Sequence, residues 1–561
     1  VQAAENVSLT AGRLAGALEA PVELKQDKGQ FAFDGKLTID AEAGNHAYAL
    51  AYLPAGNYRF VINTGITELG SSDGSFTLDN ETVKAGDAGT DIIVLNDAEA
   101  LAGELDLSLG NISFSGEDGK LTILYSKTDG SGQVVTARLI DQSYDKCYRI
   151  TSSGNNVEKY HLSVDIPASR ELKLVLKNLT ITPAEAIAPI QINGESQVTT
   201  YLEGKNKISI NKSEKSSSPA GISVAKGAKL TIDNELGQQG SIEVLNNTNV
   251  SRSGAAIGGN GGEDAGTIHI KGGTVIATSA SFGAAIGASA GKSVEEIWIS
   301  GGNVTAKSSG GAGIGTGSAN SQKRAGKIVI EGGTVNASSW TGAGIGSGIG
   351  YAPGDPAITA KIEIHGGMIT AYSGQGACIG SGKSSSSKVL IDGGTICLDN
   401  RDKGYRNVAH IGKGAENSTL PQTDVTITGG TICLIGANGH IPRPIIYGWE
   451  QVDGKGQQNK PKDANGNPVY YTTADLTGIY ENNTLVEKAG IEGSSYGFKD
   501  VRTDSNGKIY MYLPASEAVK ASFGGVEFTG KVEAGKDENV LEREQTSIDY
   551  QREVLKNTAL Y

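Results

Sequence analysis

Between residues 267 and 436 the chain alternates apolar and polar positions in short runs, each broken by a Gly-Gly pair. In KIVIEGGTVNAS, Ile328 and Ile330 alternate with Lys327, Val329 and Glu331. After Gly332-Gly333, Val335 and Ala337 alternate with Thr334, Asn336 and Ser338. A period of two puts one side of a strand in a core and leaves the other wet. The inward pairs recur as Ile268 and Ile270, Ile297 and Ile299, Ile362 and Ile364, Val389 and Ile391, and Val425 and Ile427. A further phrase, GAxIG, places its Ile 13, 12, 12 and 12 residues beyond the second Gly in the first four copies. Successive Gly pairs, by contrast, are 29, 31, 34, 27 and 36 residues apart. Two strands and their turn are therefore fixed in length while one corner is free. A unit of this size cannot bury its own apolar face and must stack on its neighbours.

The pattern predicts an all-β chain: a three-faced, right-handed parallel β-helix over residues 133–442, flanked by small β-sandwich domains. Helical spacing is missing, and Gly makes up 79 of 561 residues, which disfavours helix throughout. Earlier coils are expected in LKLVLKNLTIT from Leu172, VTTYLEGKNKISI from Val198 and GISVAKGAKLTIDN from Gly221. Residues 1–130 carry short strand-like runs between turn residues and predict an N-terminal β-sandwich region of Ig-like character. Residues 443–468 read as a connector and 469–540 as a C-terminal small β domain, with strands at 469–479, 496–501, 508–513 and 526–532. Residues 541–561 read as a tail or the start of a further module. Such flanks would protect the open strand edges at the ends of a solenoid.

Composition narrows the partners. A net charge of -13 and a pI near 5.1 argue against nucleic acid and anionic lipid. No apolar run approaches the roughly twenty residues of a membrane span, so no membrane insertion is expected. The opening Val1-Gln2-Ala3-Ala4 resembles the small-residue end of a removed secretory signal, and a fragment of a longer chain would look the same. Four cysteines make no disulfide framework. Cys397 and Cys433 fall in the same register of adjacent coils, which leaves both a bridge and a ladder of small packed side chains open. Cys378 replaces a small residue of GAxIG and reads as packing, and Cys147 has no evident mate.

Two sets of outward residues are candidate ligand-binding positions. Glu331, Glu363, His365 and Asp392 should cluster beside Lys327, Lys361 and Lys388. A glycoside hydrolase needs two carboxylates at a set separation, and a lyase needs a base, usually with a metal. The signs alternate down this ladder as in solvated cross-strand pairs, so no catalytic residue is assigned. Trp298, Trp340, Phe282 and Tyr372 offer ring faces that sugars can stack on. The column Thr274, Asn303, Thr334, Thr395 and Thr431, interrupted by Met368, fits an exposed strand or an ordered-water ladder. No cofactor or metal site is expected. Ca2+ is the only candidate ion, through the loop acids Glu263, Asp264, Asp399 and Asp402, or the Asp463-Ala-Asn465-Gly-Asn467 turn.

The phrases GGTVIATSASFGAAIG and GGTVNASSWTGAGIG, with CYRITSSGNN from Cys147 and LKLVLKNLTIT from Leu172, resemble those of a known group. They are similar to the Gly-rich bacterial surface proteins of the carbohydrate-binding-domain-containing family, over residues 147–435. NPVYYTTADL from Asn467 and DVRTDSNGKIYMYLP from Asp500 resemble the small β modules that follow such helices in Gram-positive surface proteins. The resemblance implies a right-handed parallel β-helix, a secreted or bacterial cell-surface location, and a polysaccharide or host glycan as partner. Some members of that group hold acidic plant polysaccharide with calcium on Asp-rich turns, whereas GAGIG stands here where those carry Asp-Gly-Ile. The expected function is an extracellular, non-catalytic surface protein whose β-helix serves carbohydrate binding or adhesion. The alternatives are a structural stalk or pilus-like filament subunit that touches neighbouring surface-protein subunits, and a polysaccharide lyase or glycoside hydrolase.

Overall fold

The computed structural model describes residues 104–116, 119–126, 142–154, 156–234, 240–318, 326–350, 360–382, 385–399, 409–414, 424–434 and 461–544 with their side chains, and the remaining residues of the strands named below by backbone alone. Of the expected sandwich at 1–130, connector at 443–468 and tail at 541–561, residues 1–103, 443–460 and 545–561 lie outside these side-chain ranges. The chain divides into two compact units. One holds residues Val1–Ile181, Ser196–Lys207 and Thr231–Ile242; the other holds Thr182–Glu195, Ile208–Leu230 and Glu243–Tyr561.

In the second unit the chain is a right-handed parallel β-helix with three faces, the hand that parallel strand connections overwhelmingly take. The first face stacks Ala265–Ile270, Val294–Ile299, Arg324–Ile330 and Ile358–Ile364, then the opening halves of Ser386–Asp399 and Asp424–Gly436. The second stacks Thr274–Ser279, Asn303–Ser308, Thr334–Ser339 and Met368–Ser373, then the closing halves of those two long strands. The third is only two residues wide and runs Ile257–Gly258, Ile286–Gly287, Ile314–Gly315, Ile345–Gly346, Ile379–Gly380 and Ile411–Gly412.

Like residues meet like. Ile297 pairs with Ile328, Ile328 with Ile362 and Ile362 with Val389, while Ile286, Ile314, Ile345, Ile379 and Ile411 form one column on the third face. These Ile side chains are sealed from solvent, as are Ala277, Ala306 and Ala371 of the second face. At the third face the close of each GAxIG turn has one chemical solution. Gly346 has φ +137°, and a Cβ there would sit 1.8 Å from the Gly380 carbonyl oxygen of the next coil. Only Gly combines that backbone with that approach.

The first unit shows where the sequence pattern underreads the stack. Leu101–Asp106 pairs in parallel with Cys147–Thr151, and Ile112–Glu117 with Leu162–Asp165. Parallel pairing thus begins about thirty residues before the expected start at 133, inside the span assigned to the N-terminal region. The intervening Lys120–Thr128 and Val134–Gln142 form an antiparallel hairpin, which lengthens the coil and hides its period. Cys147–Thr151 then pairs with Glu171–Lys177, and that strand with Gln197–Glu203. Buried Arg149 forms an ion pair with Glu203 at 2.8 Å across these strands.

A C-terminal module follows the β-helix within the second unit. Its six strands are ordered Gly490–Ile491, Ser516–Phe523, Val526–Val532, Asn539–Arg543, Val469–Asp475 and Lys508–Pro514. Phe523, Phe528, Met511 and Ile509 fill its core. The expected strand at 496–501 is instead a loop that reaches the β-helix, and Asn539–Arg543 extends past the expected boundary at 540.

Candidate functional site

On the first face the register brings Lys327, Lys361 and Lys388 into one row and Val329, Glu363 and Leu390 into the next. The expected cluster of Glu331, Glu363, His365 and Asp392 is therefore assembled on neighbouring coils, all four partly exposed. Three of its members, Glu363, His365 and Asp392, are engaged by neighbours. Lys361 Nζ lies 2.6 Å from Glu363 Oε1, Lys327 Nζ lies 2.6 Å from Glu296 Oε1, and His365 Nδ1 lies 2.8 Å from Asp392 Oδ1. The hydrogen bond from Lys361 lowers the Glu363 pKa against the opposing effect of burial, so this carboxyl is held as an anion. A general acid for glycoside cleavage needs the opposite shift.

Above this cluster Trp298 and His269 stack in adjacent coils, ring centroids 4.0 Å apart and planes 5° from parallel. His269 is only 5% exposed and its Nε2 lies 2.9 Å from Ser300 Oγ. Burial, with help from Lys229 and Lys271, pushes its pKa down to about 4, so the ring is neutral at physiological pH. Trp298 Nε1 is buried without a hydrogen-bond partner. One face of the Trp298 indole is therefore taken by His269 and closed to a ligand.

Trp340 is different. It is 54% exposed, at the corner between the second and third faces. A side chain at Gly374, in the next coil, would meet the ring at 2.9 Å from Cε3, so the indole rests on a bare glycine. Phe282 uses Gly310 in the same way, at 2.8 Å, but is half-buried. Tyr372 is also half-buried, its backbone in register with Ser338 and Asp399.

Of the candidate Ca2+ ligands, Asp402 lies outside the described residues. Asp463 Oδ1 accepts the N–H groups of Asn465 and Asn467, and Oδ2 accepts the Asn467 side-chain amide. Both oxygens close a turn. Glu263 accepts from Asn260, and Asp264 accepts the Ser293 N–H. Among the described residues no three His, Cys, Asp or Glu side chains gather so as to hold a metal ion.

The sequence gives no warning of what the C-terminal module does. Its loop 497–500 supplies one acceptor to each of the last three Gly-Gly corners. Gly430 N–H donates to the Gly497 carbonyl at 2.8 Å, Gly394 N–H to the Lys499 carbonyl at 2.7 Å, and Gly367 N–H to Asp500 Oδ2 at 3.0 Å. The Thr column takes part as well. Thr395 Oγ1 donates to the Asp500 carbonyl and accepts the Arg502 N–H, and Thr431 Oγ1 accepts the Tyr510 N–H. Thr395 and Thr431, expected to face water, are docking residues. The Gly-Gly-Thr phrase at these positions does not mark them out, since Gly272-Gly273-Thr274 and Gly332-Gly333-Thr334 carry the same residues.

The fold and this surface define a class: a parallel β-helix with a β module fastened along its last coils. Comparison with protein families gives a match to the Beta helix repeat at residues 268–290, 297–318, 328–349 and 362–383. No curated protein and no solved structure matches the chain.

Proposed function

We propose that this is a secreted or bacterial cell-surface protein, non-catalytic, whose β-helix presents a glycan-binding or adhesive surface centred on Trp340. The single observation that carries the reading is the exposure of that indole, 54%, on a corner fixed by the glycine beneath it. A flat ring on a rigid scaffold binds a sugar face with little entropy lost. A glycan array probed with the full chain, with and without Ca2+, tests it. Trp340→Ala is expected to reduce the captured signal at least tenfold, and a folded wild-type sample with no signal on any glycan overturns the reading.

A stalk or filament subunit is the second reading, favoured by the module's seat along three coils. Electron microscopy at high concentration distinguishes it, since isolated particles alone would oppose it. Engagement of Glu363 with Lys361 and of His365 with Asp392 weighs against a lyase or hydrolase. Product release from a panel of pectin, alginate and host glycans would reinstate that activity.

A further inference from the structure

Cys397 and Cys433 stand opposite each other in the last two coils, in parallel register on the second face. Their Sγ atoms are 3.4 Å apart, with no disulfide between them. Neighbouring parallel strands hold Cα atoms about 4.8 Å apart, inside the range a disulfide spans, and closure needs the sulfurs to approach by little more than about 1 Å. Cys397 is partly exposed, whereas Cys433 is 5% exposed. Two residues before each lies a docking threonine, Thr395 or Thr431, bonded to the C-terminal module. Module residues Tyr471, Tyr510 and Asp504 lie close enough to Cys433 to interact with it electrostatically. The pair sits in the seam between coils and module.

We propose that Cys397 and Cys433 form a dithiol modification site that a small-molecule disulfide, such as oxidised glutathione, closes into an intramolecular bond that ties the last two coils together beneath the module. The accessible Cys397 thiolate attacks one sulfur of the small disulfide, forms a mixed disulfide and expels one thiolate. Cys433 then gives its proton to solvent and attacks the Cys397 sulfur, expelling the second. Two protein thiols and one small disulfide become one protein disulfide and two small thiols. The hydrogen bond with Cys397 and burial both raise the Cys433 thiol pKa, so the second step quickens as pH rises. Cys378, buried inside the β-helix, takes no part.

The test is to equilibrate the folded full-length chain with oxidised glutathione, quench in acid, and count thiols with a non-reducing peptide map. The expected result is loss of two of the four thiols, a Cys397–Cys433 cross-linked peptide, and slower amide exchange at residues 497–502, all reversed by dithiothreitol. Cys397→Ser and Cys433→Ala should each abolish the cross-link, and Cys378→Ser should leave it. Four intact thiols, glutathione retained on Cys397, or a bond to another cysteine would overturn the proposal. Should Cys433→Ala fail to fold, Cys397→Ser and the wild-type map still decide it.

Discussion

Two residues on the β-helix surface look alike in sequence and differ in role. Trp298 and Trp340 are both outward aromatics, but Trp298 is stacked on His269 while Trp340 stands clear. Trp340→Ala should leave the unfolding free energy within about 0.5 kcal/mol of wild type while lowering the proposed glycan-array signal at least tenfold. Trp298→Ala should lower stability and uncover His269, as denaturant unfolding of the two variants would show. His269 itself gives stability a pH dependence. The folded state keeps it neutral down to about pH 4, whereas the unfolded chain takes a proton near 6.5. The unfolded state therefore binds more protons between these values. Its contribution is complete above about pH 6.5 and is lost as pH falls toward 4, a change of up to about 3 kcal/mol. Melting temperatures at pH 7.5, 6 and 5 should converge between wild type and His269→Gln as the pH falls; parallel curves would contradict this assignment.

Each coil owes its shape to two rules that the sequence states openly. Alternation on the first two faces sends Ile and Val inward, and Gly at φ near +135° lets the third face turn against the next coil. Ile330, sealed between Ile299 and Ile364, should cost about 2–5 kcal/mol on truncation to Ala. Gly346→Ala should do more damage, because both the backbone angle and the Gly380 carbonyl oppose a Cβ; loss of the cooperative urea transition is the expected outcome. These elements were legible because each repeats the same spacing several times. The first coils were not. LAGELD and ISFSGE carry no Gly pair, and the hairpin between them and their partners breaks the period. Nor was the fate of Thr395 and Thr431 legible, since a Thr that faces water and one that faces a main-chain donor of another module are the same residue in sequence.

At the scale of the whole molecule, the second unit combines a rigid stack with a module fastened mainly through main-chain groups. Docking of this kind is encoded by backbone position, which explains why the charged first-face cluster could be located from the sequence and the loop 497–500 could not. The Asp500 carboxylate reaches the Gly366-Gly367 corner, and the residue adopts φ +54° there. Asp500→Ala should leave the Gly367 N–H without its acceptor and speed proteolysis at residues 496–502, while Asp500→Asn should retain most of the protection. The fold claim beneath all of this is that successive coils share one aliphatic interior. Methyl NOE spectroscopy on the full chain with labelled Ile δ1 groups addresses it directly. Ile330 should show cross-peaks to both Ile299 and Ile364, and Ile364 to Ile391, in coil order; Ile330 methyls that see solvent and neither neighbour would contradict it.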